Sequence, residues 1–153
     1  MATVGEVRAA RRAPFIKRLK KLKREAEALL ASAGRENNDL VASLALVLRT
    51  AKLSARKPDW ADAVRVLMDP EANRKHRRGA PQLLALVRFF YPNLTASDHY
   101  RYTGFVAYAY FKKWKSSDLV SKFSNDGLTL AEAGSKGRKL ALAKGWPKLG
   151  LDL

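Results

Sequence analysis

The stretch Thr95-Ala-Ser-Asp98-His-Tyr-Arg-Tyr102-Thr-Gly-Phe105-Val-Ala-Tyr108-Ala-Tyr-Phe111-Lys-Lys-Trp114 decides how the rest of the chain is read. Thr95 with Asp98 three residues on is a capping-box pattern, and it predicts a long helix reaching Trp114. The apolar side chains fall on several faces of that helix. Ten of the fourteen aromatic residues lie between Phe89 and Trp114. A helix so covered in rings is either buried on most sides, with tyrosine hydroxyls reaching polar partners at the rim, or a platform on which unpaired bases stack between Arg88, Arg101, Lys112 and Lys113. Core packing is expected for most of these rings, with Tyr100, Tyr102 and Trp114 as the stacking candidates.

Working outward, the neighbours also read as helices. Pro81 opens a helix through Leu84, Val87 and Tyr91 that stops at Pro92. On the other side, a short turn, Lys115-Ser116-Ser117, leads to a helix with Leu119, Val120 and Phe123, closed by Asn125-Asp126-Gly127. Thr129 with Glu132 caps another turn, and Ser135 to Lys144 reads as a last helix ended by Gly145, before an extended tail at Trp146-Pro147. Toward the N-terminus, Pro14 suits the first position of a helix whose seam is Phe15, Leu19, Leu22, Ala26, Leu29 and Ala33, with Gly34 as its stop. Asn38 or Asp39 caps a second helix, Leu40 to about Lys52, which is apolar nearly all round and therefore central. Asp59, with Asp62 three residues on, caps a third that ends at Asp69-Pro70. No alternating β pattern is long enough to predict a strand. The expected fold is all-α, about six to eight helices in antiparallel hairpins, a helical-repeat-like single domain over 1–153. Residues 1–34 form a basic N-terminal helix that extends from this core.

Thirty Lys and Arg against fourteen Asp and Glu give a formal net charge of +16 in 153 residues. Folding does not need such a surplus; it implies a polyanionic partner such as nucleic acid, anionic lipid or an acidic protein surface. Hydrophobic residues make up 47%, so the chain is a folded domain and not a basic tail. There is no cysteine, which excludes disulfides and thiolate metal sites. The longest apolar run, Leu40 to Leu48, is interrupted by Ser43 and falls far short of the ~20 residues a transmembrane segment needs.

The cations are clustered. Residues 8–24 include Arg11, Arg12, Lys17, Lys20, Lys21 and Arg24; a second cluster holds Arg74, Lys75, Arg77 and Arg78; a third holds Lys112, Lys113 and Lys115; Lys136, Arg138 and Lys139 make a fourth. These are the candidate anion- or partner-binding residues, with Arg74, Arg77 and Arg78 the expected specific phosphate contacts. The basic, acid-poor start also resembles an organelle transit peptide. Catalysis has no matching pattern. His76 and His99 lack partner spacing for a metal or a base, and Asp59 with Asp62 reads as capping. Gly134-Ser135-Lys136-Gly137-Arg138 lacks the Gly spacing and the Gly-Lys-Ser/Thr ending of a phosphate loop and reads as a flexible basic turn. No catalytic, cofactor or metal residue is assigned.

Tyr100 to Leu130 resembles a pentatricopeptide-type helical hairpin: Tyr102 to Lys113, the turn Trp114-Lys115-Ser116, a helix around Leu119-Val120-Phe123, then Gly127-Leu128. Leu40 to Leu67 is a second candidate, with Asp62-Ala63-Val64-Arg65-Val66-Leu67 similar to the start of that family's second helix. The resemblance implies an organellar setting and a hairpin surface for binding RNA or protein. Proteins of this kind serve as accessory subunits of the mitochondrial ATP synthase or ribosome. The leading expectation is therefore a non-catalytic accessory subunit on the mitochondrial matrix side, with protein subunits of a larger complex as partners. The alternative is a cytoplasmic or organellar RNA-binding module. A DNA-binding version would read Leu83 to Tyr91, the turn at Pro92 and the following helix as helix-turn-helix.

Overall fold

The computed structural model describes residues 1–33, 37–68 and 81–151. Among them the chain is all-α, with seven α-helices and no strand: α1 Val4–Ala33, α2 Asn37–Arg56, α3 Pro58–Leu67, α4 Gln82–Phe90, α5 Ala96–Phe111, α6 Leu119–Asp126 and α7 Leu130–Lys144. A 3₁₀ turn, Ser116–Asp118, leads into α6.

The centre is α2, which packs against every other helix except α7. Its buried face includes Val41, Leu44, Val47, Leu48 and Ala51, each worth roughly 1–3 kcal/mol of transfer free energy, less for the alanine. Three of its polar residues, Ser43, Thr50 and Ser54, are buried as well, and each is satisfied. Ser43 donates to the carbonyl of Ala26 at 2.6 Å and so accepts from the Tyr91 hydroxyl at 2.7 Å. That hydroxyl is pushed well above the usual tyrosine range, chiefly by burial. Thr50 donates to the carbonyl of Leu46 one turn earlier. Because Ala26 faces Ser43 and Leu22 lies beside Leu53, α1 and α2 form an antiparallel pair.

The N-terminal helix starts ten residues before the position expected from Pro14. Thr3 caps it, accepting from the Glu6 amide at 3.1 Å, and Pro14 lies inside it. Proline there leaves the carbonyl of Ala10 without its helical partner. Both residues are exposed, so water can serve that carbonyl. The first turns are held by a carboxylate on α3. Asp62 accepts a two-pronged fork from Arg8 (2.9 and 3.2 Å), and further bonds from Arg12 (3.3 Å) and Arg65 (2.9 Å). Asp62 is thus an ionic clasp and not part of a cap. Lys57 occupies the N-cap of α3 and Pro58 its first turn, with no side-chain capping bond from Asp59.

The helix α5 is buried at His99 and from Tyr102 to Ala109. Thr95 caps it as expected, accepting from the Asp98 amide at 3.1 Å. Its closest partner is α7, and the contact is backbone on backbone. A Cβ added at Gly137 would sit 1.8 Å from the Gly104 carbonyl oxygen, and one at Gly104 would sit 2.3 Å from that of Gly134. Gly134 and Gly137 are therefore contact points inside one continuous helix, in place of the flexible turn predicted for them. Each costs ~1 kcal/mol of helix propensity relative to alanine. The approach is possible only without side chains. Thr129 and Glu132 close both halves of the capping box that starts α7. The two helices run in the same direction, because Arg101 meets Gly134 and Phe111 meets Leu140. The helix α6 makes the return between them, touching α5 through the edge-on pair Phe105–Phe123 at 4.9 Å and a 2.7 Å bond from the Tyr108 hydroxyl to Asp126.

The tail after α7 closes the core. Leu149 and Leu151 are fully buried. Ser54 donates to the Leu149 carbonyl at 2.7 Å. The Gln82 amide accepts from Leu149 N at 2.8 Å and donates to the Leu151 carbonyl at 3.2 Å.

Candidate nucleic-acid interface

Three of the long acid-free segments of this chain lie between Asp39 and Asp59, between Asp98 and Asp118, and between Glu132 and Asp152. The fold brings the C-terminal ends of all three together. The parallel run of α5 and α7 puts their C-termini side by side, and α2 ends against them. Two open clefts lie there. One, of about 410 Å³, is lined by Lys52, Arg56, Lys113 and Lys144 around Tyr110 and Phe111. The other, of about 510 Å³, is lined by Lys112, Lys136, Lys139 and Lys144 around Tyr108, Phe111 and Leu140. Phe111 and Lys144 belong to both, and none of the lining residues is acidic.

The charges are crowded and held. Lys52 donates to the Trp114 carbonyl. Burial, and then the charge of Arg56, lower its pKa below the ordinary lysine value. Lys112 stands over the Tyr108 ring at 5.6 Å. Lys113 adopts the left-handed conformation, φ 60°, that ends α5. Glycine or asparagine usually takes that position, and a lysine there is strained by ~1–2 kcal/mol. The Tyr108 hydroxyl is raised to about 12, first by burial and then by its bond to the Asp126 carboxylate, so it stays a neutral donor.

A third basic cleft, of about 300 Å³, lies between α1 and the α2–α3 corner. Arg18, Lys21, Arg49 and Lys57 line it together with Glu25, Phe15 and Trp60. Phe15 packs edge-on against Trp60 at 5.6 Å.

Of the residues singled out in the sequence, Arg11, Lys17, Lys20, Lys21 and Arg24 are exposed along α1. Arg12 is half-buried and bonded to Asp62. Arg74, Lys75, Arg77 and Arg78 lie outside the described residues, as does His76. Lys112 and Lys113 are exposed; Lys112 meets Lys136 and Lys139 of the fourth cluster at one cleft, and Lys113 lines the other. The stacking candidates separate. Tyr100 is 51% exposed but stands away from the clefts. Tyr102 is 6% exposed and packs against Tyr91, so its ring cannot receive a base. Trp114 is half-buried, edge-on to Tyr108 at 5.6 Å. His99 is buried, with Nε2 2.6 Å from the Tyr91 carbonyl. Lys52, Arg56 and Lys144 were not distinguished by sequence reasoning, since Lys52 and Arg56 are spaced along α2 outside any dense cationic run and Lys144 lies five residues past the fourth cluster. The signal that could have found them is the absence of carboxylates from the three segments that carry them.

Comparison with protein-family models, with curated proteins and with solved structures finds no match to this chain. Among the described residues no helix is long and apolar enough to cross a membrane.

Proposed function

We propose that this protein is a non-catalytic RNA-binding subunit of a larger RNA–protein assembly. The observation that carries the reading is the convergence of three acid-free segments on the clefts at Phe111. Like charges gathered without counter-charges cost free energy, and a polyanion laid against them recovers it while releasing its own counterions. Of the two assemblies implied by the repeat resemblance, the ribosome presents phosphates and so suits this face better than the ATP synthase. A matrix-side mitochondrial location belongs to the same proposal and rests on that resemblance and on the basic α1.

The groups that would suggest an enzyme are engaged elsewhere: Asp62 by three arginines and His99 by a backbone carbonyl. Helix-turn-helix reading of DNA is disfavoured because α5, which would enter the groove, has most of its surface buried. Ultraviolet cross-linking in the native cells, followed by denaturing purification of the tagged protein, tests the proposal. RNA covalently attached to the protein, and strongly reduced when Lys112, Lys136, Lys139 and Lys144 are changed together to Ala, is the expected result. A stable set of protein partners with no cross-linked RNA would contradict it and move docking on an acidic protein surface to first place.

A further inference from the structure

Resting on the RNA-binding reading and sharpening it, the geometry points to single-stranded RNA as the occupant of the paired clefts. The strand crosses the Phe111 ring, with its phosphates on the lysines to either side. Three features of the site argue for a strand over a duplex. The first is shape. The clefts measure about 410 and 510 Å³, within the ~300–1,000 Å³ typical of pockets that enclose small molecules. Each suits a nucleotide-sized unit, whereas a duplex is a convex rod whose phosphates would reach only the rim.

The second feature is the floor. Phe111 and Tyr110 are half-buried, and their rings stand nearly perpendicular, 86° apart with centroids at 6.0 Å. Such rings offer faces to unpaired bases, which a duplex keeps stacked inside itself. The third is the walls. Lys113 holds a strained backbone conformation where a glycine would be relaxed, and strain of this kind collects at binding sites. Lys52 and Arg56 line the same cleft without a carboxylate between them. A phosphate there would relieve their mutual repulsion and offset the loss of proton affinity that burial, and then Arg56, impose on Lys52. RNA is chosen over DNA because loops, bulges and ends make RNA the nucleic acid most often met with its bases unpaired.

The test is fluorescence anisotropy with the full chain and a labelled, unstructured oligoribonucleotide of about ten nucleotides. It is run alone, annealed to its complement, and as the DNA of the same sequence. Phe111→Leu keeps the apolar floor but removes the stacking face, and its helical circular dichroism and melting midpoint check the fold. The single strand is expected to bind at least ~10-fold more tightly than the duplex, and Phe111→Leu to weaken the single strand about fivefold with little change for the duplex. Equal or tighter binding of the duplex, tighter binding of the DNA, or a folded Phe111→Leu variant that binds the single strand like the parent would overturn the inference. If binding to the RNA nevertheless disappears on replacing Lys136 and Lys139 by Ala, the RNA-binding reading survives that failure. Absence of binding to every RNA probe removes both.

Discussion

Two regions of this molecule use cations in opposite ways. Where α1 meets α3, Arg8, Arg12 and Arg65 converge on the single carboxylate of Asp62, whose side chain is only 9% exposed. Where α2, α5 and α7 end together, the lysines and Arg56 line two clefts with no carboxylate among them. A compensated cluster stabilises the fold; an uncompensated one leaves its interaction energy for a partner. The formal charge of +16 is therefore not one property but at least two.

The largest effect should come from removing the basis of the uncompensated side. Gly137→Leu sets a side chain where even a Cβ lies 1.8 Å from a backbone oxygen, so α7 must separate from α5. A loss of about 4 kcal/mol in urea unfolding is expected, beyond the usual range for overpacking because backbone cannot yield as a side chain can. A loss under 1 kcal/mol would show that the helices are not in contact as described.

Changing Lys112, Lys136, Lys139 and Lys144 together to Ala should weaken RNA binding about 100-fold near physiological salt, with unfolding stability little changed. The reverse pattern is expected at the Asp62 cluster. Asp62→Asn should leave RNA affinity within about threefold and cost about 2 kcal/mol of stability, a figure held down by the partial exposure of the three arginines. The pH dependence follows from the same carboxylate. Burial would raise its pKa, but the bonds from Arg65, Arg8 and Arg12 outweigh burial and hold it below the usual carboxylate range. A depressed pKa means that Asp62 adds stability above that range and loses it as the pH falls through its folded value. The variant should therefore show a shallower acid limb. Tyr108, raised to about 12, works in the other direction: its contribution is complete below the ordinary tyrosine pKa of about 10 and is lost as pH rises through 12.

The smallest effect is the most discriminating. Lys113→Gly relaxes a left-handed residue and should raise stability by about 0.5 kcal/mol while weakening RNA binding several-fold. A rise in stability with RNA affinity unchanged would mean that Lys113 takes no part in binding.

Local chemistry was legible in the sequence, and convergence was not. The Thr95 and Thr129 caps, the stop at Pro92 and the apolar circumference of α2 were readable because each depends on residues within a turn or two of one another. The start of α1 was misplaced because Pro14 suits a first helical position so well that the Thr3–Glu6 signal upstream went unread. Gly134 and Gly137 read as a turn because glycine weakens a helix locally, and their value depends on Gly104, thirty residues away in the chain. The clefts were illegible for the same reason: Lys52 and Arg56 meet Lys113 and Lys144 only when α5 and α7 run parallel.

The salt dependence of RNA affinity tests the central claim most directly, measured for the parent, the four-lysine variant and an Arg8, Arg12 and Arg65 to Ala variant. A single strand contributes a slope of about −0.7 in log affinity against log salt for each phosphate neutralised. The account predicts a parent slope of about −3 to −5, a slope shallower by about 2–3 in the four-lysine variant, and no change in the arginine variant. An unchanged slope in the lysine variant, or a loss confined to the arginine variant, would contradict it.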